Sequence, residues 1–555
     1  EWLQISRPLS QSRANFEVWS ELQGGELDAV NVVFDRSLLE WGGDASRAVY
    51  TGVRGGTIQA LPAAEGWNVR VDQLILDSNT QTLVTDLVGH VSASGDILLN
   101  TVKPVSVNPF MMLLPLFSSD TSLEQLKAMK PQGQLATLQF QWKQHGPALA
   151  AKLLDISWNQ TDLIPGLTSI DADVYWYKNQ GSLKLSSSNS RLEINNLLDD
   201  NPEVSALDGE FYVYADKPGD GDNARQWWVQ SNNIRFNSDK IAFEQQARFN
   251  INSGTLQSVV NISQLPISEV DSLLPDPVMG EKTSAYLRRA FSGGGNIEHA
   301  RVLWDGKFSD FPFHDNSGIF QAFVGITDSE FTFDPNWPAL TNLNLDLFFV
   351  NDALVMESPS ASLMGVEISD MSAAIPSLKP SSELSIYATG TGTGEQLAAL
   401  MSASSMANSL GNLLENQVKV SGEVSSRLKL QIPFTGTNVI ASGEVTLADN
   451  SIFISPTKMR FNNATGSINF RNDVVRFEGL QADLLDQPVA LDMYGRQQED
   501  AYRVDLGLAG KWSVAPLTNQ FKPELGDYLG GESDWTGEVD LTIPKEGFSY
   551  TASIS

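Results

Sequence analysis

A two-residue hydrophobic period constrains this chain more than any other feature. In WPALTNLNLDLFFVND, Trp337 to Asp352, the residues Leu343, Leu345, Leu347 and Phe349 share one parity, and Asn342, Asn344 and Asp346 share the other. That is a strand with one apolar and one hydrated face. Exposed apolar area costs about 25 cal/mol per Å², so something must cover the first face. Near the end of the stretch, Phe348 and Val350 break the alternation. The period recurs along the chain. IAFEQQARFNI places Ile241, Phe243, Ala247, Phe249 and Ile251 together, and LATLQFQW does the same with Leu138, Phe140 and Trp142. ASGEVTLADNSIFISP predicts a hairpin, with Val445 and Leu447 before a turn at Asp449–Asn450 and Ile452 and Ile454 after it.

Helical patterns are sparse: SDTSLEQLKAMK, the pair ISEVDSLL and GEKTSAYLRRAF, and the longest, an insert at 394–416 carrying Leu397, Leu400, Met401, Leu410, Leu413 and Leu414. No βαβ alternation exists, which argues against a parallel sheet. Four strings superimpose without gaps: LTSIDADVYWY from Leu167, VSALDGEFYVY from Val204, LTNLNLDLFFV from Leu340 and FNNATGSINFR from Phe461. Their spacing is irregular, so they predict a strand-entry device reused in a long antiparallel meander rather than a solenoid. No linker divides the chain, and the softest break is near 280–296. With strands this numerous and helices this few, the apolar faces can meet in stacked sandwiches, close into barrels, or line an open trough. On packing grounds alone the sandwich ranks first.

The 555 residues carry 37 basic and 67 acidic side chains, a formal charge of −30. Such a surface repels phosphate backbones and anionic headgroups, which excludes nucleic acid as a partner. With no cysteine, thiolate metal sites, thiol nucleophiles and disulfides are excluded. The longest apolar runs, such as FMMLLPLF at 110–117, fall well short of the ~20 residues that span a bilayer. The sequence ends within an apparent strand, GFSYTASIS, and is expected to be an internal fragment.

The search for chemistry yields little. His90, His145, His299 and His314 are scattered, with no metal-ligand spacing. TGTGTGE at 389–395 lacks the phosphate-loop pattern and reads, with GEKT, as connector and helix cap. Asp216, Asp220 and Asp222 fall in a Gly-rich stretch without the EF-hand pattern and read as a solvated hairpin tip. No enzyme is expected, and no cofactor or metal. The aromatic-rich segment ARVLWDGKFSDFPFHDNSGIFQAFVGITDSEFTFDPNWP, which includes Phe331 and Phe333, reads as a packed core or as an apolar binding surface.

Together with that segment, YLRRAFSGGGNIEHARVLWDGKFSDFPF, LKLQIPFTGTNVIASGEVTLADNSIFISP and NNATGSINFRNDVVRFEGLQADLLDQPVALDMYG make the chain resemble the YhdP family of AsmA-like proteins, most specifically over 280–500. The resemblance implies a mainly β fold: a long curled antiparallel β-sheet, an open trough with an apolar interior, and a few short helices. It implies one continuous elongated segment, 1–555, in the periplasm of a Gram-negative envelope, anchored in the inner membrane through parts outside this fragment. The implied activity is bridge-like transfer of glycerophospholipid between inner and outer membranes, without catalytic residues. Strand parity then predicts that Leu343, Leu345, Leu347, Phe349, Phe331, Phe333, Val445, Leu447, Ile452, Ile454, Phe243 and Phe249 line the lipid groove. The competing readings are a structural spacer with a closed β core and a β-sandwich carbohydrate-active or carbohydrate-binding module.

Overall fold

The computed structural model describes residues 9–554 apart from 42–48, 79–80, 111–127, 144–145, 162–164, 194–200, 217–225, 271–280, 379–382, 434–438, 456, 499–500, 523, 525–527 and 545–548. The segment SDTSLEQLKAMK, most of FMMLLPLF, the second half of ISEVDSLL, His145, Asp220 and Asp222 therefore lie outside or largely outside the described residues. The described residues form 34 strands and a few short helices, and every strand pairing with a described register is antiparallel. The chain divides into two compact units. One comprises 1–263, 272–278 and 303–310, and the other 264–271, 279–302 and 311–555.

In the first unit, successive neighbours Gln132–Lys143, Gly146–Trp158, Gly166–Tyr177, Gln180–Ser187, Glu203–Ala215, Trp227–Ser238 and Ala242–Asn250 form an antiparallel meander. One face holds a core of Ile170, Val204, Leu207 and Phe236, with Phe243 packed against it. The Phe236 and Phe243 rings stack at 4.8 Å. In the second unit the register places apolar residues opposite one another from strand to strand. Leu345 sits opposite Ile326, and Leu347 opposite both Val324 and Met356. Met356 meets Ala373, which meets Ile386, which meets Leu430. Further on, Phe461 lies between Ile452 and Leu484, and Met493 between Phe477 and Leu506. Cross-strand pairs of this kind are the unit of sheet stabilisation, and they keep one face apolar throughout.

The four superimposable strings mark a backbone device. At their third position, Ser169, Asn342 and Asn463 all have positive φ, near +50°. Register shifts fall at the same places, and the VSALDGEFYVY string shifts between Val204 and Ala206. These are β-bulges, each adding one residue and bending its strand. The extra residue explains an apolar step of three where two is the rule, from Leu340 to Leu343 and from Phe461 to Ala464, with all four side chains buried. Without the bulge, a step of three would turn one side chain of each pair into water.

One predicted hairpin is corrected. Ile440–Ile454 is a single strand, and Asp449–Asn450 is a bulge within it. Asp449 takes the positive φ of 61°. The fully buried Asn450 accepts from the Ala448 N–H at 2.7 Å and donates to the Ser421 and Glu423 carbonyls at 3.2 and 2.9 Å. Asp-Asn is a turn signal because it tolerates left-handed backbone; here that tolerance serves a bulge. Likewise, residues 389–393 finish the strand Glu383–Thr393 instead of forming a connector.

Candidate functional site

The helical insert packs onto the apolar face of the second unit. Its first helix, Gly394–Ser402, opens on a capping box. The Thr393 hydroxyl accepts the Gln396 N–H at 3.2 Å, and the Gln396 side chain accepts the Thr393 N–H at 2.8 Å. The insert is not one helix. Residues Ala407–Gly411 take a π-helical turn and lead into Asn412–Asn416. The two arms meet at Gly411, where a Cβ would stand 2.8 Å from the Ser402 Cα, and the Ser402 hydroxyl donates to the Gly411 carbonyl. Only glycine fits so close an approach.

Between the insert and the sheet lies a cavity of about 180 Å³. Leu397, Met401, Leu410, Leu413 and Leu414 line it from the insert. Val445, Leu447, Ile452, Ile454, Phe461, Phe477, Met493 and Leu506 are among the residues lining it from the sheet. No ionisable side chain lines it. The charges occupy the other parity of the same strands, as in the pairs Arg427–Glu444 at 3.4 Å and Arg496–Asp505 at 3.2 Å. A space lined in this way offers neither nucleophile nor acid–base group. It accepts apolar matter through area alone, without directional contacts.

Of the predicted lining residues, Val445, Leu447, Ile452 and Ile454 line this cavity. Leu343, Leu345, Leu347, Phe331 and Phe333 are buried in the same unit but do not line it, and Phe349 is half-buried. Phe331 packs on Phe291 at 4.9 Å, and Phe333 on Trp337 at 5.9 Å. Phe243 and Phe249 belong to the first unit, where Phe249 pairs with Val229 and Leu256. The parity reading missed Phe461, Ile468, Phe470, Phe477, Leu491, Met493 and Leu506. Their signal was present: Val475 and Phe477, then Leu480 and Ala482, alternate on either side of the bulge at Gly479. Phe348 and Val350 have an account too. They lie on the opposite face, where Phe348 contacts Phe323 at 5.0 Å and Phe323 contacts His299 at 5.1 Å.

The histidines have separate partners. His90 bonds Asn68 and the Glu65 carbonyl, and His314 meets Asp352 at 3.1 Å. Among the described residues, no group of three His, Asp or Glu side chains is arranged to hold a metal, and no helix is long and apolar enough to cross a membrane.

No solved structure matches the chain. A 282-residue stretch is 32% identical to the intermembrane phospholipid transporter YhdP of Escherichia coli (strain K12). That match covers 51% of this chain and 22% of the relative, so the chain spans only about a fifth of that protein's length in the aligned region. The YhdP protein family matches residues 1–555, the full length given. An antiparallel β chain with this full-length match belongs to the YhdP protein family.

Proposed function

We propose that this chain is a segment of a phospholipid conduit, working in a Gram-negative periplasm between inner and outer membranes, and that it carries out no chemical step. The observation that carries the reading is the cavity between the helical insert and the sheet, whose side chains are uncharged and, apart from Gln417, apolar on both walls. Acyl tails lie against the strand face, and headgroups stay in water. Each buried methylene contributes roughly 0.8 kcal/mol, so about ten of them contribute on the order of 8 kcal/mol. Because that term is non-directional, a tail keeps most of it while sliding from one strand to the next. The name of the Escherichia coli relative, an intermembrane phospholipid transporter, supports the same substrate class. The insert then acts as a cover over the face, which a tail displaces or passes beneath.

Met493 and Tyr494 separate the two faces within one strand, since Met493 lines the cavity and Tyr494 is exposed on the other side. A photo-crosslinking residue at Met493, in cells fed labelled phospholipid, is expected to capture lipid where one at Tyr494 does not. Equal capture at both positions rejects the conduit assignment, as does lipid-free protein by mass spectrometry after purification from membranes.

A further inference from the structure

The first unit carries a second site, on the face of the meander opposite its apolar side. Five neighbouring strands line up two ladders there. Gln139 stands opposite Ala150, then come Tyr175, Ser182 and Tyr212; beside them Gln141, Ala148, Tyr177, Gln180 and Tyr214 run in the same order. The intervening residues of those strands, such as Phe140 and Leu183, have the opposite parity, and the row between the two ladders, Leu149, Trp176, Gly181 and Val213, also lines the furrow. Two alanines between taller neighbours leave a furrow of about 560 Å³, within the usual size of a ligand site, ~300–1,000 Å³. Gln139 and Gln141 wall it on one side, and the tyrosines, with Gln180 between Tyr177 and Tyr214, on the other.

We propose that this furrow binds a neutral oligosaccharide chain. Three features point to that ligand. The tyrosines are presented and not packed away: Tyr175 is 57% exposed, and Tyr177 and Tyr212 are 37% exposed. An aromatic face is electron-rich and meets the C–H face of a pyranose ring. The side-chain amides of Gln139, Gln141 and Gln180 make no hydrogen bond to a described residue, and each offers both donors and an acceptor to sugar hydroxyls. The lining holds no charge, in a chain with a formal charge of −30; Lys178, over the Tyr177 ring at 5.0 Å, and Glu210, bonded to Tyr212, border it with opposite signs. A polyanion is repelled by the chain as a whole, whereas an uncharged chain of hydroxyls meets no electrostatic penalty. Tyr175 and Tyr212 are two strands apart, about 10 Å, close to the length of two linked pyranose rings. Tyrosine also orders at low entropic cost, with only two side-chain torsions.

The test titrates the full 555-residue chain with chitotetraose, read by saturation-transfer NMR and calorimetry. Binding with a dissociation constant in the millimolar range or tighter is expected. Tyr175→Ala with Tyr212→Ala should weaken it at least tenfold, Gln139→Ala with Gln141→Ala severalfold, and Tyr175→Phe little. Tyr387→Ala, an exposed tyrosine of the second unit, should leave it unchanged. Circular dichroism checks that each variant retains its β structure. Absence of saturation transfer at millimolar chitotetraose overturns the proposal, as does binding that survives the tyrosine pair. So does a furrow that captures a protein partner but no saccharide. Lipid capture at Met493 is read separately, so failure here leaves the conduit reading standing, and the reverse holds too.

Discussion

Asp171 accepts the backbone N–H of Asp155 at 3.0 Å across two neighbouring strands, and Asn344 does the same for Asp328 at 3.3 Å. Both donors sit at positive φ, 51° and 49°, beside a register shift. Both acceptors occupy the fifth position of the superimposable strings. Two of the four strings therefore carry a staple: a left-handed residue makes the bulge, and a carboxylate or amide on the next strand satisfies the amide that the ladder has lost. Gln73 with Asp86 and Gly479 with Asp492 repeat it at 2.8 and 2.7 Å. Asp171→Ala should cost about 1 kcal/mol locally, the worth of an ordinary hydrogen bond. The expected readout is a roughly fivefold faster exchange of the Asp155 amide, with strands of the second unit unaffected. Unchanged exchange would show the bulge to be held by packing alone.

The Asp86 staple carries a pH dependence. Its carboxylate accepts the Gln73 N–H and pairs with Lys103 at 3.0 Å, and these bonds hold its pKa below the ordinary 3.8. A depressed folded-state pKa means that the stabilisation is present above the unfolded value and is lost as pH falls through the lower folded value. The Gln73 amide resonance should therefore hold its position from neutral pH down past 3.8 and move only below it. A midpoint at or above the ordinary carboxylate value would contradict the staple.

Period two was enough to read the strand class and, at Val445, Leu447, Ile452 and Ile454, the face that lines the cavity. Two things were illegible in it. Bulges add a residue without a fixed composition, so Asp449–Asn450 read as a turn where the strand runs on. Depth of cover is a property of the assembled sheet, not of a strand. Leu345 and Met493 look alike in alternation, yet Leu345 is 2% exposed while Met493 lines open space. The furrow was hidden for the same reason, because the ten residues of its two ladders come from five strands and meet only through register.

Tyr502 offers a stability prediction with an unusual sign. Its ring is buried, its hydroxyl has no hydrogen-bond partner among the described residues, and burial pushes its pKa up. An unsatisfied buried hydroxyl costs free energy that an apolar replacement of the same shape does not incur. Tyr502→Phe should thus be neutral or stabilising by about 1 kcal/mol in urea unfolding. A loss of that size instead would mean that the hydroxyl has a partner, such as an ordered water.

The helical insert supplies the last prediction, which concerns how tightly the apolar face is closed. Its cover is poorly consolidated: a π turn interrupts it, Ser and Ala dominate 402–409, and about 180 Å³ beneath it is unfilled. The Thr393–Gln396 capping box is the point at which the first arm is fixed. Thr393→Ala should weaken that arm by about 1 kcal/mol, the usual worth of an N-cap, without altering the sheet, because Thr393 is exposed and ends its strand. A looser cover admits apolar molecules more readily. The variant should therefore bind an apolar dye such as phenylnaphthylamine severalfold better than the parent, and Thr393→Ser should restore the parent value. Leu413→Ala provides the contrast. Leu413 is buried against the cavity, so its truncation both enlarges the space and costs roughly 2–5 kcal/mol. If the insert is a displaceable cover, both variants raise dye binding, and Thr393→Ala does so with the sheet's unfolding midpoint unchanged. If it is a fixed seal on the sheet edge, Thr393→Ala leaves dye binding where it was, and only Leu413→Ala moves it.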